Sequence, residues 1–293
     1  MASLNRIHKN RKEFVIHQDG HFSSHDGTKL YHQSWQPSQA EGCKAILVLV
    51  HGSGEHSGRY DNVVNYFEDR FYALYGFDFR GHGKSEGKVS HVMNWQEYRE
   101  DLDSFLRFVQ DKNPDKTLFL YGHSMGAQIS LDYLTFDKHV PLAGMISSAA
   151  AIAPPKASAS LILIGKFLSK VWPTFTLGNG LDVKDISRDP EVVKAYIDDP
   201  LVSSKISARF AAEFLACISR VQSNAAKIDV PLFMFHGETD KIIPAAGSKQ
   251  YFEKVSLADK KLKIYKDGFH EPHNDLQKQE VFQDVEQWLE KRS

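Results

Sequence analysis

Cysteine is nearly absent from this chain: Cys43 and Cys217 are the only two in 293 residues. Two thiols cannot build the disulfide framework of a small secreted domain or a cysteine-rich zinc site. An excess of one charge is missing as well. Lys plus Arg total 36 against 37 Asp plus Glu, a formal net charge of -1, which argues against a general nucleic-acid binder with its basic stripe. Long apolar runs are also wanting. The longest uncharged stretch, Val140 to Pro155, is broken by Pro141, Pro154 and Pro155 and falls short of the ~20 residues that span a bilayer. The polar, basic start from Met1 to Lys12 has no apolar segment behind it, so no secretory signal is expected and the cytoplasm is the predicted location. The basic run Lys9 to Lys12 reads as a solvated tail. What remains is an ordinary globular composition, 42% hydrophobic and 25% charged, long enough to bury a large core without staples.

The pattern of elements is regular at both ends of the chain and irregular between them. Phe14 to His17 and Lys29 to Trp35 alternate across the turn residues Ser24-His25-Asp26-Gly27, which predicts a β-hairpin. Ala45 to Val50 is apolar without alternation, as a strand covered on both faces requires. Helix, strand, helix and strand follow over 61–70, 72–79, 95–112 and 117–121, then helix over 124–136 and strand over 142–147. The rhythm predicts a doubly wound α/β sheet with ligands at the carboxyl ends of its strands. It stops between Ala153 and Val221, where helical segments and Gly178-Asn179-Gly180 occur with no strong strand signal. It resumes with strand 230–235, helix 245–255, strand 262–265 and helix 277–291. The expected organisation is one core, 1–152 and 224–293, carrying a helical insertion at 153–223.

Chemistry is written in Gly122-His123-Ser124-Met125-Gly126, a G-x-S-x-G pattern directly after the strand Leu118 to Tyr121 and opening a helix. The pattern alone is weak; its strand–turn–helix setting is specific. A sharp turn lifts the serine oxygen above the sheet, and glycines on either side permit the close backbone approach. A hydroxyl is a poor nucleophile and needs a base that is itself oriented by an acid. In this setting the order along the chain should be Ser, then Asp or Glu, then His, each beyond a different strand. Asp240 fits the acid position after strand 230–235. His270 fits the base position, being the first histidine after strand 262–265, with His273 and His236 as alternatives. The N–H groups of Met125 and of Ser53, in His51-Gly52-Ser53-Gly54-Glu55, are candidate donors for a developing oxyanion. Asp78-Phe-Arg-Gly-His-Gly-Lys-Ser85 lacks the context of a phosphate loop and is too thin for a metal shell, so it reads as a structural loop together with His56 and His82.

Four segments together, His51-Gly-Ser-Gly-Glu-His-Ser-Gly-Arg-Tyr60, Asp78 to Gly87, Gly122 to Gly126 and His236-Gly-Glu-Thr-Asp240, resemble the α/β-hydrolase superfamily. More narrowly they resemble its monoacylglycerol lipase and lysophospholipase branch, from about Lys29 onward. Ser187-Arg-Asp-Pro190 and Asp199-Pro-Leu201 resemble that branch's cap. The resemblance implies an α/β-hydrolase fold with a helical cap or lid over 153–223, and a triad of Ser124, Asp240 and His270. It further implies an oxyanion hole at Ser53 and Met125, and contacts from Glu55, Arg59 and His273 to a glycerol-like head. Ala127 departs from the usual second glycine after the elbow, and Ser53 from a usual small apolar residue.

The expected activity is hydrolysis of lipid carboxylic esters through an acyl-enzyme, with no metal or organic cofactor and no nucleic-acid partner. A short-chain carboxylesterase and a ligand-binding member of the fold with slow turnover are the rival readings. Dehalogenase and epoxide hydrolase relatives carry Asp at the elbow where this chain has Ser124. The segment Ala159 to Trp172 holds more large apolar residues than one core-facing stripe uses, which suits a greasy acyl tunnel and allows transient contact of the cap with a membrane surface.

Overall fold

The computed structural model describes residues 15–38, 43–136, 139–154 and 159–293. The basic run at 9–12, Phe14 and Pro155 lie outside them. Ten strands and eight α-helices are found among the described residues. Strands β1 (Val15–Ser23), β2 (Lys29–Pro37), β3 (Ala45–Val50), β4 (Tyr72–Phe77), β5 (Leu118–His123), β6 (Gly144–Ser148), β9 (Leu232–Gly237) and β10 (Lys260–Tyr265) form one sheet in the order β1-β2-β4-β3-β5-β6-β9-β10. β1 and β2 are the expected hairpin, and β2 also runs antiparallel to β4; the remaining pairs are parallel.

The unalternating apolar strands are explained by a core on each face. Ile46, Val48 and Val50 of β3, Leu118 and Leu120 of β5 and Leu232 and Met234 of β9 join one buried cluster. Their sequence neighbours Leu47 and Leu49, Phe119 and Tyr121, and Phe233 and Phe235 join the other. Side chains two apart share a face, so a strand with both faces covered must be apolar throughout. Helix α2 (Gln96–Lys112) and helix α3 (Met125–Tyr133) cover the first face, while α1 (Asp61–Glu68) and α8 (Lys278–Leu289) cover the second. α7 (Ala246–Lys254) adds Tyr251 to the first cluster.

The order of strands reverses at β3, whose sequence successor β4 lies on one side and β5 on the other. Crossovers diverge there and leave a crevice at the carboxyl ends. Above it lies the inserted segment: α4 (Ala159–Val171), β7 (Thr176–Gly178), α5 (Pro190–Asp198), β8 (Lys205–Ser207) and α6 (Ala208–Ser223). β7 and β8 pair antiparallel as a second, two-stranded sheet. The sequence carries no strong strand signal here, because three residues are too few to display alternation. Phe210, Cys217 and Val221 of α6 enter the core cluster. Arg220 pairs with the buried Asp132 of α3 at 2.7 Å, anchoring this end of the insertion to the sheet layer. Boundaries elsewhere move by a few residues: β5 continues through Gly122-His123 because its ladder with β6 runs on to the His123–Ser148 pair.

Candidate active site

Ser124 sits between β5 and α3 with φ 50° and ψ -116°, a left-handed conformation that costs a non-glycine residue about 1–3 kcal/mol. Surrounding bonds hold it there. Its N–H donates to Ser148 O at 2.9 Å, and its carbonyl accepts from Gln128 and Ala151. The flanking glycines are required by contact: a methyl at Gly122 would stand 2.7 Å from Ala127 Cα, and one at Gly126 would overlap the carbonyl oxygens of Val50 and His51. Ala127 is itself fully buried at this approach, so its single methyl is accommodated where a second glycine was the usual expectation.

Ser124 Oγ lies 2.9 Å from His270 Nε2, and His270 Nδ1 lies 2.6 Å from Asp240 Oδ2. The loops after β5, β10 and β9 thus bring together three side chains in the order Ser, Asp, His along the chain. Asp240 is buried, which opposes its charge, yet His270 and His236 outweigh burial and hold its carboxyl well below the usual range. Its Oδ1 accepts the N–H groups of Ile242 and Ile243 at 2.8 and 2.9 Å. Burial lowers the basicity of His270, but the adjacent Asp240 carboxylate more than compensates and the imidazole is raised above its ordinary value. Such a pair can take a proton from the hydroxyl and stabilise the imidazolium that results.

The two rival histidines lie elsewhere. His236 stands behind Asp240, with Nε2 2.9 Å from Asp240 Oδ2 and Nδ1 2.9 Å from Ser248 Oγ. It braces the carboxylate rather than touching the serine, a partner that sequence spacing did not assign. His273 is completely buried, stacked on the Tyr60 ring at 5.1 Å and packed edge-on to His123 at 4.8 Å. It is not among the residues lining the cavity, so the head-group contact that the resemblance implied for it is not made in this geometry; both its ring nitrogens are buried. Burial holds it down to about 4.

Beside Ser124 runs the loop after β3. A methyl at Gly52 would come within 3.3 Å of Ser124 Cβ, so this loop packs against the serine with only a hydrogen to spare. His51 pins it from below: Nε2 accepts the Phe79 N–H at 2.9 Å, which leaves Nδ1 to donate to Gly52 O at 2.7 Å. Complete burial pushes His51 down to about 4, in keeping with a neutral ring. The Gly52 N–H is taken by Glu55 Oε1 at 2.5 Å, which removes it as an oxyanion donor. Ser53 follows it on the cavity wall, and Met125, first residue of α3, has an N–H with no acceptor inside its own helix.

The polar end of the site is a buried charge group. Arg59 donates to Glu55 Oε2 at 2.6 Å and, through both terminal nitrogens, to Glu271 at 2.8 and 2.9 Å. Glu55, Arg59 and Glu271 all line the cavity; the sequence gives no sign of Glu271, since nothing in an acidic residue after His270 announces an arginine two hundred positions upstream. The cavity itself encloses about 550 Å³. Its wall includes the apolar Ile162 and Leu168 of α4, Phe210 and Leu215 of α6, and Ile242 and Ile243, with Lys166, Asp182, Asp185 and Lys241 also on the lining.

The Asp78–Ser85 segment is structural. Asp78 accepts the N–H and hydroxyl of Ser57 at 2.8 and 2.7 Å, and Arg80 forms a fork with the buried Asp101. His56 adds a tie to the insertion, its Nε2 2.9 Å from Asp199 Oδ2. Among the described residues no group of three or more His, Cys, Asp or Glu is arranged to hold a metal ion, and no helix is long and apolar enough to cross a membrane.

Comparison with known proteins gives the family and the fold. Residues 41–277 match the family model described as serine aminopeptidase, S33. The chain is 33% identical over 269 residues to a monoacylglycerol lipase of Mycolicibacterium smegmatis, covering 92% of this chain and 95% of that one. It is 31% identical to the monoglyceride lipase of Mus musculus, over 95% of this chain and 92% of the relative. Among solved structures, the monoacylglycerol lipase of Paleococcus ferrophilus superposes with TM-score 0.81 at 32% identity, covering 90% of this chain and 99% of that one. A soluble variant of the Saccharomyces cerevisiae monoglyceride lipase, crystallised with a substrate analogue, superposes with TM-score 0.85 at 26% identity over 95% of each chain. The chain belongs to the serine aminopeptidase S33 family on the α/β-hydrolase fold, as a monoacylglycerol lipase-like carboxylic ester hydrolase.

Proposed function

We propose that the protein hydrolyses monoacylglycerols, with Ser124 as nucleophile, His270 as base and Asp240 as the acid that orients it. The observation that carries this reading is the unbroken Ser124–His270–Asp240 hydrogen-bond chain on a cavity whose lining includes Glu55, Arg59 and Glu271 as well as the apolar side chains of α4 and α6. His270 accepts the serine proton as Oγ attacks the ester carbonyl. The N–H groups of Ser53 and Met125 receive the oxyanion, and His270 then protonates the departing glycerol. Water, activated by the same imidazole, releases the fatty acid.

Substrate selection follows from the cavity. Each buried CH₂ contributes about 0.8 kcal/mol, so the apolar wall from α4, α6 and Ile242-Ile243 favours a long acyl chain, while Glu55 and Arg59 face the glycerol. The segment 153–223 then acts as a lid on the core formed by 1–152 and 224–293. Its α4 leaves Leu163, Phe167 and Val171 on one face, each more than 60% exposed, followed by Trp172. That face, flanked by Lys166 and Lys170, suits docking on a lipid surface from which the substrate enters.

The test is Ser124→Ala on a panel of monoacylglycerols, lysophospholipids and short p-nitrophenyl esters. The variant should keep its circular dichroism spectrum, lose turnover by at least about 10⁴-fold and resist fluorophosphonate labelling. Wild-type turnover in Ser124→Ala would remove the assignment, and a wild-type preference for short esters would replace the lipid reading with a general esterase.

A further inference from the structure

The serine chemistry needs no charges beyond Asp240, yet three more are buried against it. Glu55, Arg59 and Glu271 are each less than a tenth exposed, and two carboxylates share the single guanidinium. Glu55 meets only donors, from Gly52 N–H, Tyr60 OH and Arg59, as an ionised carboxylate requires. Glu271 is saturated by the Arg59 fork and the Asn274 amide at 2.8 Å. The group therefore carries surplus negative charge. Charges desolvated in this way seldom add net stability over apolar packing; what they impose is a fixed relation between the segments that bear them. Here those segments are two. Glu55 and Arg59 belong to the loop that packs Gly52 against Ser124, and Glu271 directly follows His270. The insertion closes over both: the Tyr196 ring lies 4.5 Å from the Arg59 guanidinium, and Glu271 N donates to Ile186 O at 2.8 Å.

We propose that Glu271 is a positioning residue for the hydrolysis: through Arg59 it locks the His270 loop to the Gly52–Glu55 loop, so that base and oxyanion donors keep one mutual geometry, and its charge sets the field at the imidazole. The proposal rests on His270 acting as the base. The charged or titratable groups facing that imidazole are Asp240 from the loop after β9, Glu55 from the loop after β3, His123 at the end of β5, and Glu271 and His273 from its own loop. Burial keeps His123 and His273 neutral, so Glu55 and Glu271 are the charges that act on His270 besides its acid, and Arg59, bonded to both carboxylates, offsets them. Removing the Glu271 charge disfavours the imidazolium, and removing the Arg59 charge favours it.

The two substitutions therefore have opposite signatures in one experiment: kcat and KM against pH for the full chain, Glu271→Gln and Arg59→Gln on a soluble p-nitrophenyl ester, with His270→Ala as control. Glu271→Gln should lower kcat about tenfold or more by loosening the loops while KM stays within about twofold, and its acid limb of kcat/KM should move down by about one pH unit. Arg59→Gln should move that limb up by a similar amount. Limbs that stay at the wild-type position, or move in the same direction, overturn the proposal; if Glu271→Gln does not fold, the Arg59→Gln limb alone decides. Wild-type turnover by His270→Ala would instead remove the base assignment itself, whereas unmoved limbs beside an inert His270→Ala remove only the role of Glu271.

Discussion

The loops around Ser124 and the helix α4 line the same cavity, yet they are built in opposite ways. Around Ser124, backbone is fitted to backbone: Gly126 admits no methyl, His51 ties a loop through both ring nitrogens, and Asp240 accepts four hydrogen bonds. α4 holds Ile162 and Leu168 to the cavity and leaves Leu163, Phe167 and Val171 to water. The first arrangement suits chemistry, where a displacement of about 1 Å costs a hundredfold in rate. The second tolerates movement, since apolar contact is non-directional.

The contrast can be broken on either side, and the effects should differ in size and kind. The largest follows Gly126→Ala, which sets a methyl against the carbonyl oxygens of Val50 and His51. Neither is the end of a flexible side chain, so the loss should be about 3 kcal/mol or more, at the upper end of overpacking costs. Chemical denaturation checks it, and an unchanged midpoint would mean that β3 and α3 are less closely fitted than described.

Acid should come next, and it too should act through the first region. Burial holds His51 and His273 down to about 4 and His82 to about 3, and the segment 159–223 contains no histidine at all. A folded value below the unfolded one, about 6.5, contributes stability that is complete above the unfolded value and is lost as pH falls toward the folded one. Asp240 acts with the same sign at still lower pH. His270, raised when folded, acts with the opposite sign, its contribution fading as pH rises through its folded value. Tm should therefore decline between about pH 6.5 and 4; a flat Tm across that window would contradict neutral burial of these rings.

The smallest effect belongs to the second region. Replacing Leu163, Phe167 and Trp172 by Ser should leave Tm within a few degrees and turnover of a soluble ester within about twofold, since exposed positions contribute little to stability. Sedimentation with phosphatidylcholine vesicles and hydrolysis of vesicle-borne monoacylglycerol should both fall several-fold. Equal loss on the soluble and the vesicle-borne substrate would make α4 part of the folded scaffold and not a docking face.

Much of this was legible in the residues. Strand-end motifs are local: G-x-S-x-G marks a turn whose glycines are required within five residues, and the order of Asp240 and His270 follows from the strands they succeed. Unbroken apolar runs announced a sheet covered on both faces. Other features were not legible because they are distances between remote loops. Only the fold decided that His270 reaches Ser124 while His236 turns to the back of Asp240 and His273 is sealed beneath Tyr60. Only the fold joined Arg59 to Glu271, and gave the insertion a strand pair too short to alternate. Periodicity and turn chemistry act over a few neighbouring residues and are therefore carried by sequence, whereas the meeting of buried charges depends on how four loops converge above one sheet.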